Sequence, residues 1–179
     1  MRPRYVAFAT LLRIATATII LLVATGTAYG QSNWIGAFRS SRRQDLMDDT
    51  EKRYIYTSAL VAGQPLGSVS ISWHCRDNES AFSVVMLNNP MIGNSKGQVL
   101  VRMRFDTAPA SSGDYWMLGQ SGTSVRMPKE NVRQFTTLAL KAVRLALQIS
   151  DPYDGETLTN AFSLDGLANS LPIVWPCKP

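Results

Sequence analysis

Histidine occurs once in this chain of 179 residues, and cysteine twice. With so few of either, a zinc or copper centre has no plausible ligand set, because such sites gather three or four imidazole, thiolate or carboxylate donors. Ser/His/Asp catalysis would have to use His74, which sits beside Cys75. No glycine-rich motif of the kind that cradles phosphate is present. The acids are equally thin on pattern. Asp151, Asp154 and Glu156 share one stretch, yet their spacing is not that of a calcium loop, and Asp154-Gly155 already reads as a hairpin turn. Asp106 and Asp114 are candidates for a carboxylate pair, but nothing in the sequence brings them together. No catalytic residue, metal ligand or cofactor is therefore assigned. The enzymatic alternative is a hydrolase of envelope polymer working through acidic residues. Repeats, low-complexity tracts and long linkers are also missing, so a single domain is expected.

An export pattern opens the chain. Residues 1–13 hold Arg2, Arg4 and Arg13 and no acid, and Ile14–Ala24 is an unbroken run of small and apolar residues. Ala28-Tyr29-Gly30 then places small residues at the two positions a signal peptidase reads. A spanning helix wants about 20 continuous apolar residues, and Arg13 cuts this run short. No cysteine follows the run to carry a lipid. The expectation is a cleaved signal peptide over 1–30 and one exported domain over 31–179, periplasmic or secreted, with no stable membrane span. Of 18 basic residues three leave with the leader, so 15 remain against 13 acids and the net charge falls from +5 to +2. The basic balance of the whole chain is thus largely an export feature, and nucleic acid is not expected as a partner.

Cys75 and Cys177 both fall in the exported part. In an oxidising compartment two cysteines most simply form one disulfide. A catalytic thiol activated by His74 is the alternative, but adjacent residues on a strand point to opposite faces. Strand signals surround this site. Val69, Ile71, Trp73 and Cys75 alternate with Ser68, Ser70, Ser72 and His74, and Val99, Val101, Met103 and Phe105 alternate with Leu100, Arg102 and Arg104. Further strands are read over Tyr54–Val61, Ala81–Leu87, Tyr115–Leu118, Ser124–Met127, Arg144–Ser150 and Thr157–Leu164, with turns at Gly63–Gly67, Gly93–Gly97 and Asp154-Gly155. Trp34–Asp49 reads as a mixed lead-in. From Pro128 the period changes to that of a helix, with Val132, Phe135, Leu138, Ala139 and Ala142 on one face, ending near Val143. Asp165 is expected to cap a short helix over Gly166–Leu171 that Pro172 stops. The sum is an α+β fold: an antiparallel sheet or sandwich of about seven or eight strands, one main helix over about 129–143 and a short C-terminal one.

Arg102 and Arg104 on one strand face, followed by Asp106, are the most pointed polar group. Two readings stay open. They hold an anionic ligand or a partner's carboxylates through bidentate contacts, or they form a solvated face paired across strands with acids. Tyr115-Trp116 is likewise either core or an aromatic anchor for a partner. Arg102, Arg104, Asp106, Tyr115 and Trp116 together are the candidate partner-binding residues. Arg39, Arg42 and Arg43 are offset by Asp45, Asp48, Asp49 and Glu51, which describes a solvated segment.

Several segments in order carry a resemblance. They are Trp34, Leu46-Met47-Asp48-Asp49-Thr50, the strand Val69–Cys75, Val-Arg-Met-Arg-Phe-Asp over Val101–Asp106, Tyr115-Trp116, the helix from Pro128, and Phe162-Ser163-Leu164-Asp165-Gly166-Leu167 before Cys177. Together they resemble the periplasmic accessory proteins of type VI secretion, of the VasI/TagO type. The second half is also similar to invasion-associated locus B proteins, which carry Arg-Phe-Asp and Phe-x-Leu-x-Gly-Leu segments and a final cysteine. His74 precedes Cys75 here where such families place an arginine. The resemblance implies a secreted, non-enzymatic envelope protein with a binding or accessory role and an envelope or secretion-system protein as partner. It supplies no catalytic residue.

Overall fold

The structure is a computed structural model that describes residues 34–44, 51–60, 68–76, 79–175 and 177. The leader expected over 1–30, the turn at Gly63–Gly67 and the acids Asp45, Asp48 and Asp49 lie outside them. The strands read from the sequence all form: β3 (Glu51–Ser58), β4 (Val69–Arg76), β5 (Glu79–Met86), β6 (Gln98–Phe105), β7 (Asp114–Leu118), β8 (Ser124–Arg126), β9 (Arg144–Ser150) and β10 (Thr157–Ser163). Two more precede them, β1 (Trp34–Ile35) and β2 (Phe38–Gln44), in the stretch that reads as a lead-in. β2 is written Phe-Arg-Ser-Ser-Arg-Arg-Gln, so it has almost no apolar alternation. It is a strand because β3 pairs along most of its length, from Arg39 opposite Tyr56 to Gln44 opposite Glu51.

All ten strands among the described residues belong to one antiparallel sheet in the order β1-β2-β3-β4-β5-β8-β7-β6-β9-β10. This is a single curled sheet rather than a two-sheet sandwich. Its curl brings Leu60, just past β3, against β10, where its N–H donates to Ala161 O at 2.8 Å. The inner face collects Phe38, Ile55, Ile71, Trp73, Phe82, Val84, Val101, Trp116, Leu145, Leu147 and Phe162, all buried. Helix α1 (Lys129–Ala139) links β8 to β9 and lays Val132, Phe135, Thr136 and Ala139 on that face. Thr136 is buried because its hydroxyl has two jobs: it donates to Val132 O and accepts the Trp73 indole N–H at 3.0 Å. A buried indole N–H left without an acceptor would cost about 1–3 kcal/mol.

The main helix stops four residues short of the expected Val143. After Leu140 the chain tightens, with Lys141 N–H donating to Leu138 O and Ala142 N–H to Ala139 O. The next two amides are claimed by another element: Val143 and Arg144 both donate to the Asp106 carboxylate, at 3.0 and 2.8 Å. Strand pairing of Arg144–Ser150 with β6 then takes over. At the C-terminal end, α2 covers Leu167–Ser170 and continues into a single 3-10 turn over Leu171–Ile173 that contains Pro172. Gly166, not Asp165, occupies the cap position, with no side-chain cap bond. The reason is contact. Gly166 has φ +82°, and a Cβ there would run into the Ile35 carbonyl, while a Cβ on Gly36 would lie 2.6 Å from Asp165 O. The N-terminal hairpin and the C-terminal segment thus touch backbone to backbone, and Ala37 N–H donates to Asp165 O.

Cys75 and Cys177 are disulfide-bonded, with Cα atoms 5.5 Å apart and a sequence separation of 102. The bond ties β4 to the tail beyond the last helical turn. His74 lies on the opposite face of β4, its ring 5.4 Å from that of Tyr54, so no His–Cys pair exists. No helix among the described residues is long and apolar enough to cross a membrane.

Asp151 is the second long-range tie. Buried in the β9–β10 turn, its carboxylate accepts the N–H groups of Ile92 (2.6 Å), Gly93 (3.1 Å) and Tyr153 (2.9 Å). Burial pushes its pKa up, but the bonds from Tyr153, Gly93 and Ile92 outweigh that and hold it below the ordinary carboxylate value. A carboxyl with a lowered folded pKa stabilises fully above the unfolded value of about 4 and loses that contribution as pH falls through the folded one. Asp151→Asn is therefore expected to lose about 2 kcal/mol at neutral pH. The gap to the parent should narrow below about pH 4, measured by urea denaturation across an acid series. A gap independent of pH would show that charge plays no part.

Candidate functional site

The outer face of β6, β9 and β10 is built by register. Alternation along β6 turns Val99 and Val101 inward and buries them, so Arg102 and Arg104 stand outward and exposed. Across the ladder Arg102 faces Gln148 and Arg104 faces Ala146; one strand further, Gln148 faces Thr159 and Ala146 faces Ala161. The two alanines leave a depression beside Arg104, because a methyl group is all that rises from the sheet there. Two adjoining recesses of about 280 and 600 Å³ result. The smaller is lined by Arg102, Arg104, Gln148 and Thr159, and the larger by Arg104, Asp106, Arg144 and Thr159. Gln148 Nε2 donates to Thr159 Oγ1 at 3.4 Å across the floor.

Neither arginine of β6 is paired with an acid among the described residues. Arg102 is steadied by the loop between β6 and β7: its Nε donates to Ser111 O at 3.2 Å. Ser111 in turn bonds Met103 through its own N–H (2.8 Å) and through its Oγ, which accepts Met103 N–H (3.0 Å). The Arg104 side chain has no hydrogen bond or ion pair among the described residues. The cross-strand neighbours are an amide and a methyl, not carboxylates. Of the two readings open from the sequence, pairing with acids across strands finds no partner in this register.

The other candidate residues divide by face. Tyr115 stands opposite Leu100 on the outer face, half exposed, one row from Arg102. Trp116 pairs with Val99 inside and is completely buried, its ring 5.9 Å from Phe82, so it offers a partner no surface. Asp106 sits on the wall of the larger recess, but its carboxylate is engaged with the amides of Val143 and Arg144. Its backbone is left-handed, φ +46°, at the corner where β6 ends. Asp106 is thus part of the framework that joins β6 to the start of β9. Asp106→Ala is expected to lower stability by about 1–2 kcal/mol, read from the urea midpoint, whereas a role confined to partner contact would leave the midpoint unchanged.

Arg144 is the residue that sequence reasoning passed over. It reads there only as the polar member of an alternating strand. Register with β6 sets it one step past the Phe105–Leu145 pair, diagonal to Arg104 and lining the same larger recess, and makes it a third guanidinium on this face. The segment Gly93-Asn94-Ser95-Lys96-Gly97 also has the spelling Gly-x-Ser-x-Gly, but the nucleophile elbow needs a strand-to-helix turn. Here Ser95 lies exposed in a turn that leads into β6, with Asn94 Oδ1 accepting the N–H groups of Lys96 and Gln98. Asp151 is similarly unsuited to calcium, since its oxygens face N–H donors. No cluster of three or more His, Cys, Asp or Glu able to hold a metal occurs among the described residues. Comparison with family models, curated proteins and solved structures yields no match to this chain.

Proposed function

We propose that this chain is an exported, non-catalytic binding or accessory protein of the cell envelope, working beside a secretion apparatus of the type VI kind that its segments resemble. One observation carries the reading. Arg102 and Arg104 stand on an open, recessed sheet face, and neither forms an ion pair among the described residues, the nearby Asp106 being bonded to the amides of Val143 and Arg144. Guanidinium groups held on a rigid strand and left without an ion-pair partner suit recognition of a partner's carboxylates. The bond between Cys75 and Cys177 supports an oxidising compartment, and the leader pattern of 1–30 supports export. The main-chain bonds of Asp106 leave the hydrolase alternative without a favouring observation.

The test is the double variant Arg102→Ala/Arg104→Ala. Exposed charges of this sort contribute only about 0–1 kcal/mol each to folding, so its melting temperature should match that of the parent. Its retention by envelope fractions of a secreting host should fall at least tenfold. Undiminished retention of a folded variant would overturn the reading, and so would turnover of peptidoglycan that disappears in Asp106→Asn.

A further inference from the structure

We infer that the groove takes an extended acidic segment of a partner protein, with carboxylates at alternate positions (i, i+2) meeting Arg102 and Arg104; this rests on the binding function proposed above. The argument is one of matching periods. Residues two apart on a strand lie about 6–7 Å apart on the same face. An extended peptide repeats its own side chains at that same distance. A strand laid along β6 therefore sets acid over arginine twice without stretching either chain. Its intervening side chains point away from the sheet.

The surroundings favour this occupant. Arg102 is held by its Nε bond to Ser111 O, so its remaining N–H groups are presented in a restrained direction. Ala146 and Ala161 leave room for backbone beside Arg104, and Gln148 and Thr159 border that room with amide and hydroxyl groups able to meet peptide N–H and C=O. Arg144 lies diagonally across from Arg104, about 7–8 Å away, and extends the series to a third acid. A featureless polyanion fits less well. Asp106 stands on the wall of the same recess, and the exported part carries a net charge of only +2, from 15 basic and 13 acidic residues. The site thus offers a few discrete cations at strand spacing rather than a broad positive field.

The experiment uses the exported full-length chain with its disulfide intact and fluorescent peptides of one composition in two orders. One alternates aspartate with threonine; the other places the same aspartates in a block. Anisotropy titration at low salt is expected to show the alternating peptide bound at least tenfold more tightly, with the advantage lost in Arg104→Ala and reduced in Arg144→Ala. Equal affinity for the two orders overturns the inference, as does equal affinity for an inorganic polyphosphate of the same charge. Absence of binding to either peptide also overturns it. If envelope retention still depends on Arg102 and Arg104 in that case, the binding function survives and only the extended acidic partner is rejected.

Discussion

Phe82→Ala is expected to destabilise the folded chain by about 3–5 kcal/mol. Its ring is completely buried within an aromatic cluster: 4.5 Å from Phe135, 4.7 Å from Trp73 and 5.9 Å from Trp116. Removing it opens a cavity bounded by three rings from three elements, β4, β7 and α1. None of them can collapse inward without dragging its strand or helix. At this chain length the loss corresponds to a fall of roughly 10 °C in melting temperature. The alternation of β6 points instead to Phe105 as the ring to truncate. That ring is only partly buried, at the strand end, where it approaches Phe135 at 5.5 Å. Phe105→Ala should therefore cost clearly less than Phe82→Ala. Equal losses in calorimetry would show that the difference in burial between the two rings does not set the cost.

Breaking the disulfide should rival that loss. The bond closes a loop spanning 102 residues, and the chain-entropy model assigns such a loop an upper value of about 4–5 kcal/mol. The effect acts on the unfolded chain, which gains freedom when the bond is cut. The double variant Cys75→Ser/Cys177→Ser and the reduced parent should therefore show the same lowered urea midpoint, with the fold retained at neutral pH. A shift under about 1 kcal/mol would mean that the tail is held to β4 by packing alone. Intact-mass measurement before and after reduction and alkylation checks the bond directly: two thiols should become available only after reduction.

These two predictions separate what could be read along the chain from what could not. The strands β4, β6 and β9 were legible because their apolar residues alternate with a period of two, and one face must then be buried; β10 was legible as the partner strand after the Asp154-Gly155 turn. β2 was not, because its residues are polar and only pairing with β3 makes it a strand. The helix was legible at its start, where the period changes. Its end was misplaced because the amides of Val143 and Arg144 are taken by Asp106, 37 and 38 residues away. No local pattern reports a bond of that range.

The candidate site divides in the same way. That Arg102 and Arg104 leave the core face follows from alternation alone, as does the opposite orientation of Tyr115 and Trp116, though not which of the two is buried. The pairing of Cys75 with Cys177 follows from there being no other cysteine. Tertiary structure alone decided that the arginines face Gln148 and Ala146 instead of acids, that two alanines hollow the face beside them, and that Arg144 joins them. Alternation along a strand is local and is written in consecutive residues. The neighbour across a sheet is set by strand order and register, which emerge only when the whole core closes.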